Sequence, residues 1–253
     1  MGLLKGVLKF VLSNLLILFL LLFVLTASFQ SSLSPEYFKG QIKNFLKSQP
    51  EFSENIGKLY DDSREHFFVL GNNETIKPSS GEMPFDFEIT KQQANLTKQE
   101  FEDIILEKFA DFIYNTEQDT PLGKMSMANL GNKVSSYKTI AMILSIIFGL
   151  ALFILFSGRW VLLGTNFLIV SVFYFPIKFT FSTLQKQVAS KVPGEVAASF
   201  QNLLGGIFSS SLSVASRYFL FFFIGGVLFI AIGLLVKVLK LGLWFQSFFE
   251  KKK

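Results

Sequence analysis

One histidine and two neighbouring carboxylates form the cluster of side chains best suited to acid–base chemistry. His66 is the single histidine of the 253-residue chain, and Asp61 and Asp62 precede it by about one helical turn. A histidine beside a carboxylate can act as a general base or bind a metal ion. No nucleophile or second base is recognisable nearby, so we predict a cluster of surface charges and no catalytic site.

Three carboxylates at helical spacing are a second candidate for chemistry. Glu100, Asp103 and Glu107 fall on one face of a predicted helix and could hold a cation weakly. A solvated charged face explains the same spacing, and it is the interpretation that we favour.

Residue types that the chain lacks exclude whole classes of chemistry. There is no Cys, which excludes disulfides, thiolate metal sites and cysteine nucleophiles, and a single His excludes His-rich metal centres. The sequence has no phosphate-binding loop, zinc-ligand spacing, nucleophile elbow or pair of catalytic carboxylates. We therefore expect no enzymatic activity, no cofactor and no metal.

Two short motifs have the sequence of N-glycosylation acceptors. They are Asn73-Glu74-Thr75 and Asn95-Leu96-Thr97. Asn73 and Asn95 are therefore candidate glycosylation sites. Chance explains both motifs as well, and Thr97 has a separate role as a helix cap.

The composition and the distribution of charge indicate a membrane protein. Hydrophobic residues make up 50% of the chain, which includes 32 Phe. Residues 28–137 hold 11 Lys/Arg and 17 Asp/Glu, a balance of −6, and the rest holds 13 and 2, a balance of +11. Because such a division is typical of membrane topology, we expect a lipid bilayer as a partner and no nucleic acid.

Four segments have the length and hydropathy to cross a hydrocarbon core, which takes about 20 residues. They are residues 7–27, 138–157, 160–177 and 218–236. The first could be a cleaved secretion signal, with Thr26-Ala27-Ser28 as the cleavage site. Its apolar stretch exceeds the roughly 7–15 residues of a signal peptide core, so we predict an uncleaved signal-anchor.

Positive charges near the ends of these segments predict their orientation. The flanking cations are Lys5, Lys9, Arg159, Lys237 and Lys240. The positive-inside rule places all of them in the cytoplasm. We therefore predict a multi-pass protein of the cell membrane, with residues 1–6 and the basic tail 237–253 cytoplasmic and residues 28–137 outside.

The outer segment carries the signals of a small, mainly helical domain. Thr97 and Glu100 form a capping-box pattern at the start of a helix that continues to about Tyr114. Ser34-Pro35 marks the start of another helix, and residues 55–65 suit a third. Residues 67–90 contain turn signals and an alternating stretch, which predict a small hairpin.

Small residues recur along three of the predicted spans and would let another helix approach closely. The positions are Ala141, Ser145 and Gly149 in the second span, Gly164 and Ser171 in the third, and Gly226 and Gly233 in the fourth. Packing within one chain is the simpler explanation of these ridges. Contact with another membrane protein or with a second copy of the chain is the alternative.

The predicted outer link, residues 178–217, contains two amphipathic stretches separated by Pro193-Gly194. Their apolar residues are Phe181, Leu184 and Val188 in the first, and Phe200, Leu203, Leu204 and Ile207 in the second. We expect two helices that lie on the outer membrane surface or pack under the outer domain. A re-entrant hairpin around residues 203–208 is the alternative.

The order of one span, a large outer loop and three further spans is similar to that of claudin-like four-span proteins, although the paired outer cysteines of that family are absent here. The stretch Leu33-Ser34-Pro35-Glu36-Tyr37-Phe38 resembles the start of the outer loop in uncharacterised prokaryotic four-span membrane proteins. This resemblance covers the layout of the chain and implies no activity.

These observations predict an all-α integral membrane protein with four transmembrane helices and a small, mainly helical extracytoplasmic domain. The spans lack the central ionisable side chains that mark proton relays and ion-coupled transporters. We expect a non-catalytic subunit or scaffold that binds partner proteins through its outer domain and helix ridges. A homo-oligomeric pore is the alternative, and lipid handling by the link is a third hypothesis.

Overall fold

A computed structural model describes residues 2–71, 74–77, 88–120, 123–190 and 194–250. The described backbone is mainly α-helical, which confirms the predicted all-α fold. The chain divides into two compact units. The apolar unit comprises Met1–Ser31, Lys133–Thr183 and Ser210–Lys253, and the polar unit comprises Ser32–Asn132 and Leu184–Ser209.

The described helices range from 4 to 57 residues in length. They are α1 (Gly2–Ser32), α2 (Pro35–Lys47), α3 (Pro50–Arg64), α4 (Lys91–Ala94), α5 (Lys98–Asn115), α6 (Met127–Leu155), α7 (Arg159–Val172), α8 (Tyr174–Ala189) and α9 (Gly194–Glu250). A π-helix, Glu65–Val69, follows α3 directly. Two short antiparallel strands, β1 (Gln118–Thr120) and β2 (Gly123–Met125), pair within the described residues.

Four helical stretches have the length and hydropathy that a membrane span needs, as the sequence predicts. They are Leu3–Ser32, Met127–Leu155, Arg159–Gln187 and Phe200–Lys240. In the apolar unit these helices share one cluster of buried side chains, which includes Leu16, Leu152, Val170 and Phe219. Their other faces expose large apolar residues, as expected of helices surrounded by lipid.

The helix bounds differ from the predicted spans at two places. The third predicted span, residues 160–177, is interrupted at Phe173, where α7 ends and α8 begins. Pro176 explains the break, because a proline has no N–H to donate to the carbonyl of Val172 and its ring collides with that carbonyl. In the first turn of α8 the missing N–H leaves no helical hydrogen bond unmade.

The second difference is the continuity of α9. The sequence predicts a link that ends at residue 217 and a separate span from 218, but the backbone is helical from Gly194 to Glu250. The alternative of a re-entrant hairpin around residues 203–208 is therefore wrong. A continuous helix satisfies every backbone hydrogen bond through Gly205 and Gly206, which a hairpin would leave to other partners.

Two clusters of buried side chains form the core of the polar unit. The first joins α3, the π-helix and α5 through Ile56, Phe67, Phe101 and Ile105. The second joins α2 and α5 through buried residues that include Phe38, Ile42, Leu106 and Ala110. Since α5 contributes to both clusters, it is the central helix of the unit.

The helix starts in the polar unit follow the predicted signals in part. At α5 the capping box is confirmed: the Glu100 amide donates to Thr97 Oγ1 at 3.3 Å, and the Thr97 amide donates to Glu100 Oε2 at 2.9 Å. Proline occupies the start of α2 as predicted, but Ser34 makes no side-chain cap. The helix predicted over residues 55–65 starts earlier, at Pro50, because Pro50 also suits the first helical position.

The hairpin predicted within residues 67–90 is only partly described. Ile76 and Ile89 form one antiparallel bridge, with N–O distances of 3.0 and 2.9 Å. The residues between 78 and 87 lie outside the described part of the chain. The apolar run from His66 to Val69, at the start of that segment, is a π-helix and not a strand. The pairing of β1 with β2 was not predicted.

Candidate protein-interaction surfaces

The π-helix changes the direction in which successive side chains point. Its wider turn is shown by the hydrogen bond from the Leu70 amide to the Glu65 carbonyl, 2.9 Å long and five residues apart. Gly71 ends it with a φ of 71°, a left-handed conformation that glycine adopts without a steric cost. Isolated π-turns frequently occur at functional sites.

This geometry produces an exposed apolar surface at the end of α3. Phe67 is 1% exposed and belongs to the core, whereas the next three residues are Phe68, Val69 and Leu70, at 45%, 76% and 65% exposed. We call these three residues the apolar tip. Among the described residues of the polar unit, Leu184, at 43%, is the other large apolar side chain with comparable exposure.

A recess of about 440 Å³ adjoins the apolar tip. Its charged lining residues are Asp61, Glu65 and Arg64, so both signs of charge are present. Tyr60, Phe68 and Val69 complete the lining. Arg64 Nη1 donates to the hydroxyl of Tyr60 at 3.1 Å, and the ammonium of Lys91 lies 5.9 Å from the ring centre of Phe68. Apolar residues next to held charges resemble the centre and rim of a protein–protein interface.

The structure gives His66 a hydrogen-bonding role. Its Nε2 lies 3.3 Å from the carbonyl oxygen of Glu74, and its ring meets Phe67 edge-on at 5.0 Å. Asp61, near the end of α3, lines the recess described above. Within the described part of the chain, no group of three or more His, Asp or Glu side chains is arranged to hold a metal ion.

The acidic face predicted on α5 pairs with lysines of α2. Lys47 Nζ donates to Asp103 Oδ1 at 2.8 Å, and Glu107 and Asp111 form ion pairs with Lys43 and Lys39. The hydrogen bond to Asp103 raises the pKa of Lys47. The Thr97 amide lowers the pKa of Glu100 by donating to its carboxylate. These carboxylates have partners in the protein, so the structure offers no support for a cation site there.

The two glycosylation candidates differ in what the structure describes. Asn95 is exposed and follows α4, and the hydroxyl of Thr97 is engaged with Glu100 in the capping box. Asn73 lies outside the described residues.

Part of the predicted amphipathic link packs inside the polar unit. Leu203 and Ile207 contact the second hydrophobic cluster, while Phe200 and Leu204 are half-buried. The backbone of this segment accepts hydrogen bonds from Ser32 Oγ to Ile207 O at 2.9 Å and from the Tyr37 hydroxyl to Gly206 O at 2.6 Å. These contacts fit a helix packed against protein better than a helix lying on lipid.

The first stretch of the predicted link does not present one buried face. Phe181 is buried in the apolar unit and meets Phe29 edge-on at 5.5 Å, whereas Leu184 is exposed. The side chain of Val188 lies outside the described part of the structure.

Other helices of the apolar unit lie against residues of the predicted small-residue ridges. On α6, Ala141 and Ser145 are buried, and a Cβ added at Gly149 would lie 3.9 Å from Leu16 Cδ1 of α1. On α9, a Cβ added at Gly233 would lie 2.6 Å from Val161 Cγ2 of α7. The ridges therefore bring helices of the apolar unit together, which is the simpler of the two explanations.

One close helix crossing in the apolar unit involves two facing glycines. A Cβ on Gly164 of α7 would lie 2.6 Å from the Gly226 carbonyl oxygen, and one on Gly226 of α9 would lie 2.9 Å from the Gly164 carbonyl oxygen. A polar pair lies nearby on α7: the Asn166 amide is buried and lies 3.4 Å from Ser13 Oγ of α1. This pair satisfies part of the hydrogen-bonding capacity of Asn166 within the bundle.

The fold and these surfaces define an all-α protein in which four helices of spanning length accompany a polar helical unit. Comparison of the chain with protein-family models, with curated protein sequences and with solved structures finds no match in any of the three.

The sequence does not predict the apolar tip. The run of Phe67, Phe68, Val69 and Leu70 falls within the hairpin predicted over residues 67–90, and a strand there would bury alternate residues. A signal was available in principle, because the predicted helix over residues 55–65 leads into the run with no breaking residue before Gly71.

Proposed function

We propose that this chain is an integral membrane protein that serves as a non-catalytic subunit or scaffold and binds a partner protein through its outer domain. The observation that carries the proposal is the apolar tip, three consecutive large apolar side chains exposed beside a recess that carries both signs of charge. Adjacent exposed apolar residues of this kind mark interaction sites.

Membrane insertion is supported by the outer faces of the long helices. On α6 the exposed side chains include Ile143, Ile147, Leu150 and Ile154. The same faces carry no charge along this stretch, so lipid suits them and water does not. This face of α6 would give an aqueous pathway no polar lining, so it lends no support to the alternative of a pore.

Orientation is proposed from the charges, with both termini in the cytoplasm and residues 28–137 outside. Since the chain has no Cys, single cysteines can be introduced at the exposed positions Gln99 and Lys240 without background. In intact cells, a membrane-impermeant maleimide should label Gln99→Cys and should label Lys240→Cys only after permeabilisation. Labelling of Lys240→Cys in intact cells would overturn the orientation.

The apolar tip suits the centre of a larger contact. A stable interface buries about 800 Å² on each partner, and a few apolar and aromatic residues near its centre supply most of the binding energy. Ion pairs between α2 and α5 and the capping box of α5 help to hold the unit together, so the apolar tip lies on a folded domain. The ridges of the apolar unit are used within the chain and form no part of this proposal.

Partner binding is tested by purifying the complex from its own membrane in mild detergent and measuring its native mass and components. We expect stoichiometric proteins that are lost with Leu70→Asp, to below about one tenth of the wild-type amount, because a charge at the centre of an interface costs about 2 kcal/mol or more. The matched control is Leu184→Asp, which makes the same change at another exposed leucine of the polar unit and should retain the partners. Retention of every partner by Leu70→Asp, or a native mass of one chain alone, would overturn the proposal.

A further inference from the structure

Arg217 occupies an unusual position in the apolar unit. It lies on α9 immediately before the apolar stretch 218–236, and its side chain is exposed. It lines two separate groove-like cavities, of about 650 Å³ and 420 Å³. Both volumes fall within the range of about 300–1,000 Å³ that is typical of ligand sites.

The walls of both cavities are apolar. The first runs between α7, α8 and α9 and is lined by residues such as Leu168, Val172, Phe175 and Phe223. The second runs between α1, α6 and α9 and includes Leu20, Ile146 and Phe221. Each cavity also has a tyrosine in the lining that includes Arg217, Tyr174 in the first and Tyr218 in the second. The guanidinium-bearing residue Arg217 therefore lines two apolar grooves at once.

Among the described residues of the apolar unit, no carboxylate pairs with this positive charge. Glu250 is the single acidic residue in the sequence of the apolar unit, and it lies 33 residues along α9, or about 50 Å of helix, from Arg217. A second cation, the ammonium of Lys178, lies 6.0 Å from the ring centre of Tyr174, which lines the first cavity. A cation that lines two apolar grooves, in a unit whose sequence holds no acidic residue nearby, is complementary to an anion that carries hydrocarbon chains.

From this charge complementarity we propose that the apolar unit binds one anionic phospholipid, with its phosphate at Arg217 and one acyl chain in each groove. The inference rests on the membrane insertion proposed above. Arginine suits this role because its planar guanidinium forms paired hydrogen bonds to phosphate oxygens. Tyrosines at the same level are typical of the interface between headgroups and hydrocarbon.

The test compares two lipids that share the phosphate and the acyl chains but differ in headgroup and net charge, because the choline of phosphatidylcholine neutralises its phosphate. The purified full chain in neutral detergent is titrated with phosphatidylglycerol or with phosphatidylcholine of the same acyl chains, and bound lipid is counted by native mass spectrometry. We expect one phosphatidylglycerol to bind about tenfold more tightly than phosphatidylcholine. Equal binding of the two lipids would overturn the proposal.

Matched variants assign the preference to Arg217. Arg217→Gln should bind both lipids equally, and Arg217→Lys should keep a reduced preference. Arg159→Gln is the control, because it removes an arginine from another helix of the same unit, where the guanidinium lies 4.4 Å from the ring centre of Phe153. A preference that survives Arg217→Gln, or that Arg159→Gln removes to the same extent, would contradict the assignment.

Two further measurements test the grooves and the source of the phosphate. Val172→Trp adds bulk to the first groove at an exposed position and should weaken binding of both lipids. Glycerol phosphate carries the anion without the chains and should not bind; binding as tight as that of phosphatidylglycerol would show a site for free phosphate and overturn the proposal. Lipid selectivity can fail while cysteine labelling and partner recovery succeed, so the two proposals fail separately.

Discussion

Gly164→Ala should be among the most damaging single-methyl changes in the apolar unit. The new Cβ would lie 2.6 Å from the Gly226 carbonyl oxygen and 2.9 Å from the Ile230 amide nitrogen, both of which are backbone atoms of α9. Because backbone cannot rotate away as a side chain can, the two helices must separate. Overpacking of this kind lowers the free energy of unfolding by about 1–3 kcal/mol. Because the new methyl group meets backbone atoms, we expect a loss at the upper end of this range for Gly164→Ala. The free energy of unfolding, followed by helical circular dichroism in mixed micelles, measures the effect.

The control for this prediction is the same change on another helix of the apolar unit. A Cβ at Gly149 would lie 3.9 Å from Leu16 Cδ1, which is an ordinary contact, so Gly149→Ala meets no obstacle. Alanine also restricts the unfolded chain, so this variant should be neutral or more stable by up to about 1 kcal/mol. If the two variants had the same stability, the close crossing of α7 and α9 would be ruled out.

The facing glycines show what a sequence can and cannot say about helix packing. The spacing of Gly226 and Gly233 predicts a face that another helix can approach closely, and α7 does approach it. The sequence does not say which helix that is. A ridge of small residues allows close packing of a helix from the same chain or from another protein, because both need the same short distance between backbones.

Helix ends in this chain were predictable where a local chemical signal fixes them. The capping box of Thr97 and Glu100 is satisfied by groups three residues apart, so no distant contact is needed to establish it. Pro176 also acts locally, but the apolar stretch conceals its effect, because hydropathy is unchanged across the break at Phe173. Hydropathy therefore locates a span without describing its helix.

The continuity of α9 depends on contacts that are distant in sequence. Gly205-Gly206 favours a break when it is considered alone, because glycine is a weak helix former. In the polar unit, Tyr37 donates a hydrogen bond to the carbonyl of Gly206, and Gln41 lies against the same glycine where a larger residue would collide. The glycine is required for close packing and not for a turn, which no property of residues 203–208 reveals.

The direction of the apolar tip is likewise decided by backbone geometry. A strand through residues 66–70 would bury alternate side chains, whereas the π-helix buries Phe67 and exposes the three residues after it. Phe67 would be buried in either geometry, whereas Val69 would be buried in the strand and is exposed in the π-helix. The hairpin prediction could not locate the candidate site, because the choice between a strand and a π-helix decides which of these side chains face solvent.

Phe67→Ala and Phe68→Ala should therefore have very different effects although the residues are neighbours. Phe67 is fully buried among Ile56, Phe101 and Ile105, and removing such a ring costs about 3–5 kcal/mol. Phe68 is exposed and contributes chiefly its contact with Lys91, so its loss should cost less than about 1 kcal/mol. Hydrogen exchange of peptides from α3 and α5 measures the difference, and Phe67→Ala should accelerate it more than about a hundredfold, because each 1.4 kcal/mol is a factor of ten.

Val69→Ala distinguishes the π-helix from the strand. In the structure Val69 is the most exposed residue of the apolar tip, so its truncation should leave exchange in α3 and α5 unchanged. A strand would place Val69 on the same buried face as Phe67, and the two variants would then accelerate exchange together. Phe68→Ala and Val69→Ala should both weaken recovery of the partner while the fold persists. Adjacent residues of one turn would then have different roles, because the π-helix buries Phe67, which stabilises the unit, and exposes Phe68 and Val69, which would contact the partner.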